Sequence, residues 1–402
     1  MSILHNSLSL NPFWGPKVKV APFGPCRGLL TSHATRNSQF FIDAITGTQD
    51  YIYSLKKEDS FSFYPSNNGL TKYGEKLELG FSNYALKLYF MLGIWKQLEN
   101  SEKENWKNYI NSFQSDIANF PKNSFIDKVI LESYNEFNFL NFSKEITRKI
   151  LNTTGKFNFE IKNTRLKKAI NAETKQSIST LWEVGSSNNL MLENLYTSNN
   201  ELFQYLDSLN WQTPWTSGAQ FSSLCVYSTT QKFNYEEDLM NFITKKANYE
   251  TGAYFSKMPN SSREVINGAM KVISGLDWLE REIHYPEKLI DFCLANEPIH
   301  EGCDVVDFIY VLYKCSKQTK YRKDEVNKLL YDQAKVLREL FRPNEGGFSY
   351  FRNKSQTHYY GVEITTGENS ADIHGTLLCI WAIMMILDSN ELLDTNYNII
   401  KP

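Results

Sequence analysis

An all-α fold, closed into a ring of helical hairpins within one continuous domain, is what the sequence predicts, on three observations. Helical periodicity, with apolar residues recurring three and four positions apart, runs through most of the chain. From residue 218 onward, stretches that are apolar on every side alternate with stretches that are apolar on one face only. Two similar connectors, "ETGAYFS" at 250–256 and "EGGFSYF" at 345–351, each follow a one-face stretch. A linear row of amphipathic helices gives no reason for such alternation. A ring does, because its inner helices are covered on all sides while its outer helices keep a solvent face.

The elements follow in order. Residues 1–35 carry Pro12, Pro16, Pro22 and Pro25 among several glycines and read as an irregular arm. Residues 36–395 are expected to form the ring domain. "SQFFIDAITGTQDYIYSLKK" is its first helix, closed by a Ser/Asn/Pro loop at 60–70. From Phe81, "FSNYALKLYFMLGIWKQLENSEKENWKNYINSFQSDI" gives a helix that is apolar nearly all round, the polar turn "ENSEKEN", and a helix with one apolar face. The Asn/Lys-rich stretch within 150–180 is expected to be a peripheral insertion.

The alternation then becomes regular. "GAQFSSLCVYSTT" is small and uncharged and precedes the one-sided "YEEDLMNFITKKA"; "SREVINGAMKVISGLDWL" precedes "YPEKLIDFCLAN", with Pro286 in a first helical turn. "GCDVVDFIYVLYKC" precedes the long amphipathic "KDEVNKLLYDQAKVLRELF". The last inner helix lies in "GENSADIHGTLLCIWAIMMIL", residues 367–387. In the connectors, Gly supplies a left-handed cap or tight turn and the aromatic pair packs back on the ring.

Composition narrows the function classes. With 402 residues, 42% apolar content and a net charge of -2, the chain reads as globular and carries no electrostatic footprint for nucleic acid. Its 23 Tyr, 26 Phe and 8 Trp are a high aromatic load, suited to a core and to pockets for flat or apolar ligands. Six scattered Cys without a CxxC pair read as reduced thiols. The first residues lack a basic and then apolar leader, and no apolar run reaches the ~20 residues of a membrane span, so a cytoplasmic location without a transmembrane segment is the expectation.

Alternating inner and outer helices, the "TGAYFS" and "GGFSYF" connectors, and "CDVVDFIYVLYKC" and "SADIHGTLLCIWAIMMIL" as inner helices bearing acid, Cys and His together resemble the α/α toroid superfamily. That superfamily includes class II terpene cyclases and the β subunits of protein prenyltransferases. The resemblance covers roughly residues 210–390 and implies an α/α toroid (barrel) with a central cavity. The chain departs from both chemistries. In place of the cyclase D-x-D-D run it has Asp304-Val-Val-Asp307, and in place of the prenyltransferase Asp-x-Cys pair it has adjacent Cys303 and Asp304, with His374 in a position similar to the distant zinc-binding His.

Candidate site residues gather at the starts of the predicted inner helices. Asp304 and Asp307, three apart, share a helix face and are costly to bury unpaired, which suggests one carboxyl raised in pKa as a general acid beside one kept ionised. The bland alternative is that both are first-turn acids after Gly302. Asp372 reads as an N-cap or a catalytic acid. His374, in a first helical turn, meets the positive dipole end and stays neutral, a competent base or ligand. His300, Cys303 and His374 are residue types that zinc accepts, and zinc or magnesium is the cofactor expectation. Trp215, Gln220, Asn267, Tyr359, Tyr360 and Glu363 are candidates for substrate binding. Trp215 and Gln220 flank a helix start made of small residues, Asn267 is a polar group on an apolar helix, and the last three hang on a predicted hairpin before the final inner helix.

No phosphate-binding loop, nucleophile elbow or dinucleotide fingerprint is present. Three functions follow as expectations: acid/base or metal-assisted chemistry on an isoprenoid-like small molecule; a glycan-active barrel enzyme, whether lyase, hydrolase or epimerase; and a non-catalytic binding protein on the same scaffold.

Overall fold

The structure, a computed structural model, describes residues 32–58, 60–136, 139–154, 159–297 and 301–402. The predicted arm therefore lies almost wholly outside the described residues. The chain is predominantly helical. Its helices are α1 (Ser32–Leu55), α2 (Lys72–Lys76), α3 (Leu79–Met91), α4 (Asn100–Asn111), α5 (Lys128–Asn135), α6 (Phe139–Thr153), α7 (Lys162–Glu183) and α8 (Asn199–Ser208). They continue as α9 (Pro214–Thr230), α10 (Glu236–Thr244), α11 (Ser262–Trp278), α12 (Pro286–Ala295), α13 (Cys303–Gln318), α14 (Lys323–Asp332), α15 (Ala334–Leu340) and α16 (Ile373–Ser389). The strands are two residues long and pair as antiparallel hairpins: β1 (Gln114–Ser115) with β2 (Ser124–Phe125), β3 (Phe341–Arg342) with β4 (Gly347–Phe348), and β5 (His358–Tyr359) with β6 (Val362–Glu363).

Six helices form a succession that returns to its start: α3 packs on α7, α7 on α9, α9 on α11, α11 on α13, α13 on α16, and α16 on α3. Five of them are buried along most of their length, and α7 mainly over its second half. Hydrogen bonds at both ends fix their sense. At the starts of α9 and α11 the Trp215 N–H donates to Glu264, and at their ends Thr229 Oγ1 donates to the Trp278 carbonyl. Between α11 and α13, Arg263 and Asn267 meet Asp304 near the starts, while Lys314 and Tyr310 meet Asp277 near the ends. Tyr313 joins Asp388 at the far ends of α13 and α16. These four helices are thus parallel, with their N-termini on one side.

The tightest crossing is α9 on α11, and it is made by small residues. A Cβ on Gly268 would stand 2.6 Å from the Pro214 ring, and Ser222 and Ser274 are hydrogen-bonded across the contact at 2.9 Å. The remaining helices pack outside: α4 against α3, α10 against α9, α12 against α13, α14 against α13 and α16, and α1 with α15 behind α16. Trp106 of α4 shows how such a helix is anchored. Its ring stacks on Phe61 and Phe63, and its Nε1 donates to Ser82 of α3. One continuous apolar core runs from Phe40 to Ile400, and among the described residues no helix is long and apolar enough to cross a membrane.

The predicted connectors are one recurring turn. Ala247 bridges Tyr254 and Phe341 pairs with Phe348, each seven residues on. A third copy, which the sequence hides because it lacks the glycine, follows α1, where Lys56 bridges Phe63. In all three the last helical carbonyl region accepts an N–H from nine residues on: Leu55 from Tyr64, Lys246 from Phe255, Leu340 from Ser349.

Two expectations differ from the structure. Within 150–180, read as a peripheral insertion, lies the start of α7, which packs between α3 and α9 and buries Ala169, Ile170, Glu173, Thr174 and Ser177. Its polar inner face conceals it from a reading based on apolar stretches. The single amphipathic helix expected over 323–341 is broken at Gln333, whose side chain is fully buried.

Gly346 carries a testable load. It sits at φ 82° with its would-be Cβ 2.4 Å from the Gly47 carbonyl oxygen of α1. Gly346→Ala is expected to cost roughly 3 kcal/mol, from the left-handed backbone and the backbone clash together. Gly185→Ala, with φ 71° but nothing within 4 Å, should cost only about 1 kcal/mol. Denaturant unfolding of both variants checks this, and equal losses would contradict the packing.

Candidate functional site

The parallel N-termini bring most of the predicted residues to one side of the molecule. Gly302 at φ 61° breaks the chain into α13, so that Cys303, Asp304 and Asp307 fall in its first turns. Asp304, 4% exposed, accepts from Arg263 Nε and from Asn267 Nδ2, both at 2.7 Å. Arg263 in turn lies over the Trp215 ring, 5.1 Å from its centroid, at an exposed edge. Trp215, Arg263, Asp304 and Asn267 are therefore one connected chain across α9, α11 and α13.

Asp307, one turn deeper and 1% exposed, is held differently. Among the described residues its Oδ2 has no hydrogen-bond partner. Burial pushes its carboxyl up to about 6, with Lys271 pulling the other way and Asp304 adding to the rise. Asp304 is thus held by two donors, whereas Asp307 Oδ2, among the described residues, is held by none.

His374 lies between two tyrosine rings. It is stacked on Tyr84 at 4.7 Å and tilted on Tyr350 at 5.1 Å. Burial, and then the charge of Lys271, lower its pKa to about 3, so the ring is neutral, and among the described residues its buried Nδ1 has no partner. The Tyr350 hydroxyl is 3.0 Å from Cys303 Sγ, and burial raises that thiol to about 11. Cys303 and His374 are thus joined through Tyr350. His300 lies outside the described residues, and among those residues no three His, Cys, Asp or Glu side chains converge on a point that could hold a metal.

Asp372 is the N-cap of α16. Its carboxylate accepts from the backbone N–H groups of Gly375 and Tyr350 at 2.7 Å and Gln356 at 3.0 Å. Burial raises it to about 6 against those bonds. With both oxygens engaged, it positions Tyr350 and His374 and offers no free atom to a substrate.

The hairpin residues divide. Tyr360 occupies a left-handed turn position at φ 46°, where Asn or Gly is ordinary, and its half-buried ring lines a cleft of about 830 Å³ together with Trp215, Ala219 and Gln220. Tyr359 is buried and donates to Glu173 of α7 at 3.0 Å. Glu363 is exposed on β6, paired in register with His358. Gln220 accepts from Asn171 and Tyr205, and it also borders a second hollow of about 1020 Å³ that Trp215 and Tyr360 do not line.

Five neighbours were missed by sequence reading: Arg263, Lys271, Tyr350, Tyr84 and Glu173. Lys271 was legible as the sole charge in "VINGAMKVISGL", four residues after Asn267 and so on the same face. Tyr350 was visible in "GGFSYF", where it read as packing. Glu173 gave no signal, because it belongs to the polar helix taken as peripheral.

Set beside known protein families, curated proteins and solved structures, the chain matches none of them.

The buried carboxyl of Asp307 gives a pH prediction. Its native value near 6 exceeds the ordinary 3.8, so the folded protein holds this proton more tightly than the unfolded chain. The associated stability is complete below pH 3.8 and is lost as pH rises through 6. Asp307→Asn is therefore expected to stabilise the protein by roughly 2 kcal/mol at pH 8 and by little at pH 4. Denaturant midpoints at the two pH values test this, and a loss of stability at pH 8 would contradict it.

Proposed function

We propose that the closed succession of six helices is an α/α toroid, and that the protein is an enzyme acting on glycans by proton transfer at a sugar carbon. The observation that carries this reading is a group of polar atoms on the inner helices, Asp307 Oδ2, His374 Nδ1 and Asn267 Oδ1, that are buried and, among the described residues, have no partners. Native proteins seldom leave such atoms unsatisfied unless solvent or a ligand meets them. A sugar, with hydroxyls all round and an apolar face, is a ligand that can meet polar atoms and aromatic rings at once.

Each group then has a task. Trp215 and Tyr360 offer faces for stacking at the mouth, and Arg263, held by Asp304, is placed to bind hydroxyls beside them. Asp307, poised near pH 6, exchanges a proton with the substrate. Neutral His374 accepts or relays that proton through Nδ1, and the Tyr350 hydroxyl stands ready to protonate a leaving oxygen. In an elimination, a proton passes from a ring carbon to Asp307 or His374 while the neighbouring C–O bond breaks; in an epimerisation, the proton returns to the opposite face.

Two-carboxylate hydrolysis is less well supported. Asp304 and Asp307 stand on one helix, on the same side of any bound ring, and Asp304 is locked by Arg263 and Asn267; hydrolysis needs carboxyls flanking the bond. The isoprenoid reading calls for an apolar pocket, and the inner helices instead carry Lys87, Lys175, Lys271 and Asp307.

The reading is tested by incubating the protein with oligosaccharides that contain and that lack uronic acids, and following products by mass spectrometry. Turnover of a glycan is expected, with Asp307→Asn lowering kcat by roughly 10²–10⁴-fold while the fold is kept. Full turnover by Asp307→Asn, or turnover of prenyl diphosphates in place of glycans, would overturn it.

A further inference from the structure

The hollow of about 1020 Å³ adjoins the cleft of about 830 Å³ that Trp215 and Tyr360 line, and the helical period explains how. Along α7, Thr164, Lys167 and Asn171 turn to the hollow, while Arg165, Ala169 and Ala172 turn to the cleft. Along α9, Ser217, Leu224 and Tyr227 turn to the hollow, while Trp215 and Ala219 turn to the cleft. Glu160, Lys168, Thr216 and Gln220 border both. Glu160 and Lys168 are ion-paired at this boundary, and Glu160 and Thr216 are exposed. The boundary is therefore a ridge that meets solvent, over which an extended ligand can lie in both spaces at once.

The lining of the hollow is aromatic on one side and rich in amides on the other. Tyr196 and Tyr205, both half-buried, stack with ring centroids 5.0 Å apart. The Tyr227 hydroxyl donates to Asn171 Oδ1 at 2.8 Å, Asn171 Nδ2 donates to Gln220 Oε1 at 2.9 Å, and the Tyr205 hydroxyl donates to the same oxygen at 3.2 Å. With Oε1 taken twice, the Gln220 amide is held in one orientation. Its Nε2 then donates to no group among the described residues, although the residue is only 7% exposed. A buried amide donor without a protein acceptor, at the border of two open spaces, marks a place for a ligand oxygen. The charged residues of the hollow balance, Glu160 and Glu193 against Lys167 and Lys168, and Glu193 already accepts the Lys122 N–H at 2.9 Å.

We infer that the hollow is a second sugar subsite, which takes neutral units of an oligosaccharide chain while the unit to be transformed occupies the cleft. This deepens the glycan reading above and rests on it. Each space alone is of the size that holds one small ligand, ~300–1,000 Å³, so the two in succession suit a chain. Sugar hydroxyls both donate and accept, which matches fixed amides, and the apolar face of a sugar ring matches the tyrosine wall. A purely apolar ligand would leave the Gln220 donor unmet at the cost of its desolvation. An ionic ligand gains nothing from a lining whose charges cancel. Units bound here lie away from Asp307 and His374, so lengthening the chain strengthens ground state and transition state alike and lowers KM with little change in kcat.

The test compares disaccharides with hexasaccharides of the cello, xylo, manno and chito series on the full chain, by calorimetry for binding and by product analysis for turnover. For the series that is accepted, the hexasaccharide is expected to bind, and to show a KM, roughly tenfold or more below the disaccharide, with kcat within a few-fold. Tyr196→Ala, which removes a half-buried ring from the hollow alone, and Gln220→Leu, which removes the free donor, should each bring the hexasaccharide close to the disaccharide. Circular dichroism shows that the variants are folded. If hexasaccharides bind in this way, lose that affinity in Tyr196→Ala, and no glycan is transformed, the subsite stands and the enzymatic glycan reading falls. If glycans are transformed with a KM independent of chain length, or if the folded variants change both lengths equally, the subsite falls and the glycan reading stands. If no oligosaccharide of any series binds, the inference is overturned.

Discussion

One buried carboxylate holds the reactive side of this protein together. Asp372, 1% exposed, accepts three backbone N–H groups, from Gly375 within its own helix and from Tyr350 and Gln356 in the strap before it. Its own N–H donates to the Phe348 carbonyl at 2.8 Å. Taking an acid out of water is costly, and charge-assisted bonds of this kind are what offset it. The result is that the turn after α15 and the first turn of α16 are locked in a fixed relation. Tyr350 is thereby brought to Cys303 on α13, and His374 is clamped between Tyr350 and Tyr84. Side chains from α3, α13, α16 and the strap meet because of this one cap.

Around that cap the inner helices are polar where a helix bundle is normally driest. Asn267, Asp307 and Lys271 sit on helices whose remaining buried surface is mostly apolar, and Lys175 lies on α7, whose buried face is itself rich in polar side chains. Each would be more stable as a hydrophobe. Their presence on inner walls, with atoms of Asn267, Asp307 and His374 left without partners among the described residues, is the pattern of a fold that spends stability on a site. The outer layer shows the opposite economy: Arg322 with Asp291 and Glu325, and Arg281 with Glu236, are exposed pairs of the kind that contribute little.

Much of the fold was legible because burial leaves a simple mark. α9, α11, α13 and α16 are apolar all round in the sequence since they are covered on every side, and α10 and α12 are one-sided since they are not. α7 was illegible for the converse reason. Its inner face is Glu173, Lys175 and a run of Ser and Thr, which imitates a solvated surface helix. The candidate site was legible where a polar residue interrupted an apolar helix, as with Asn267, Asp304, Asp307 and His374. It was illegible where a residue earned its place through a partner distant in sequence: Arg263 matters because of Asp304, Tyr350 because of Cys303 and His374. Asp372 and Gly302 were read correctly as helix-start residues, since caps are local.

The inward polar atoms of α11, α13 and α16 are expected to open on a shared space that solvent and ligand enter. A diffraction structure at high resolution tests this most directly, through ordered solvent. Ordered water hydrogen-bonded to Asp307 Oδ2, His374 Nδ1 and Asn267 Oδ1, continuous with solvent at Trp215, is the expected result. Side chains packed directly over those three atoms, with no ordered solvent among them, would contradict it.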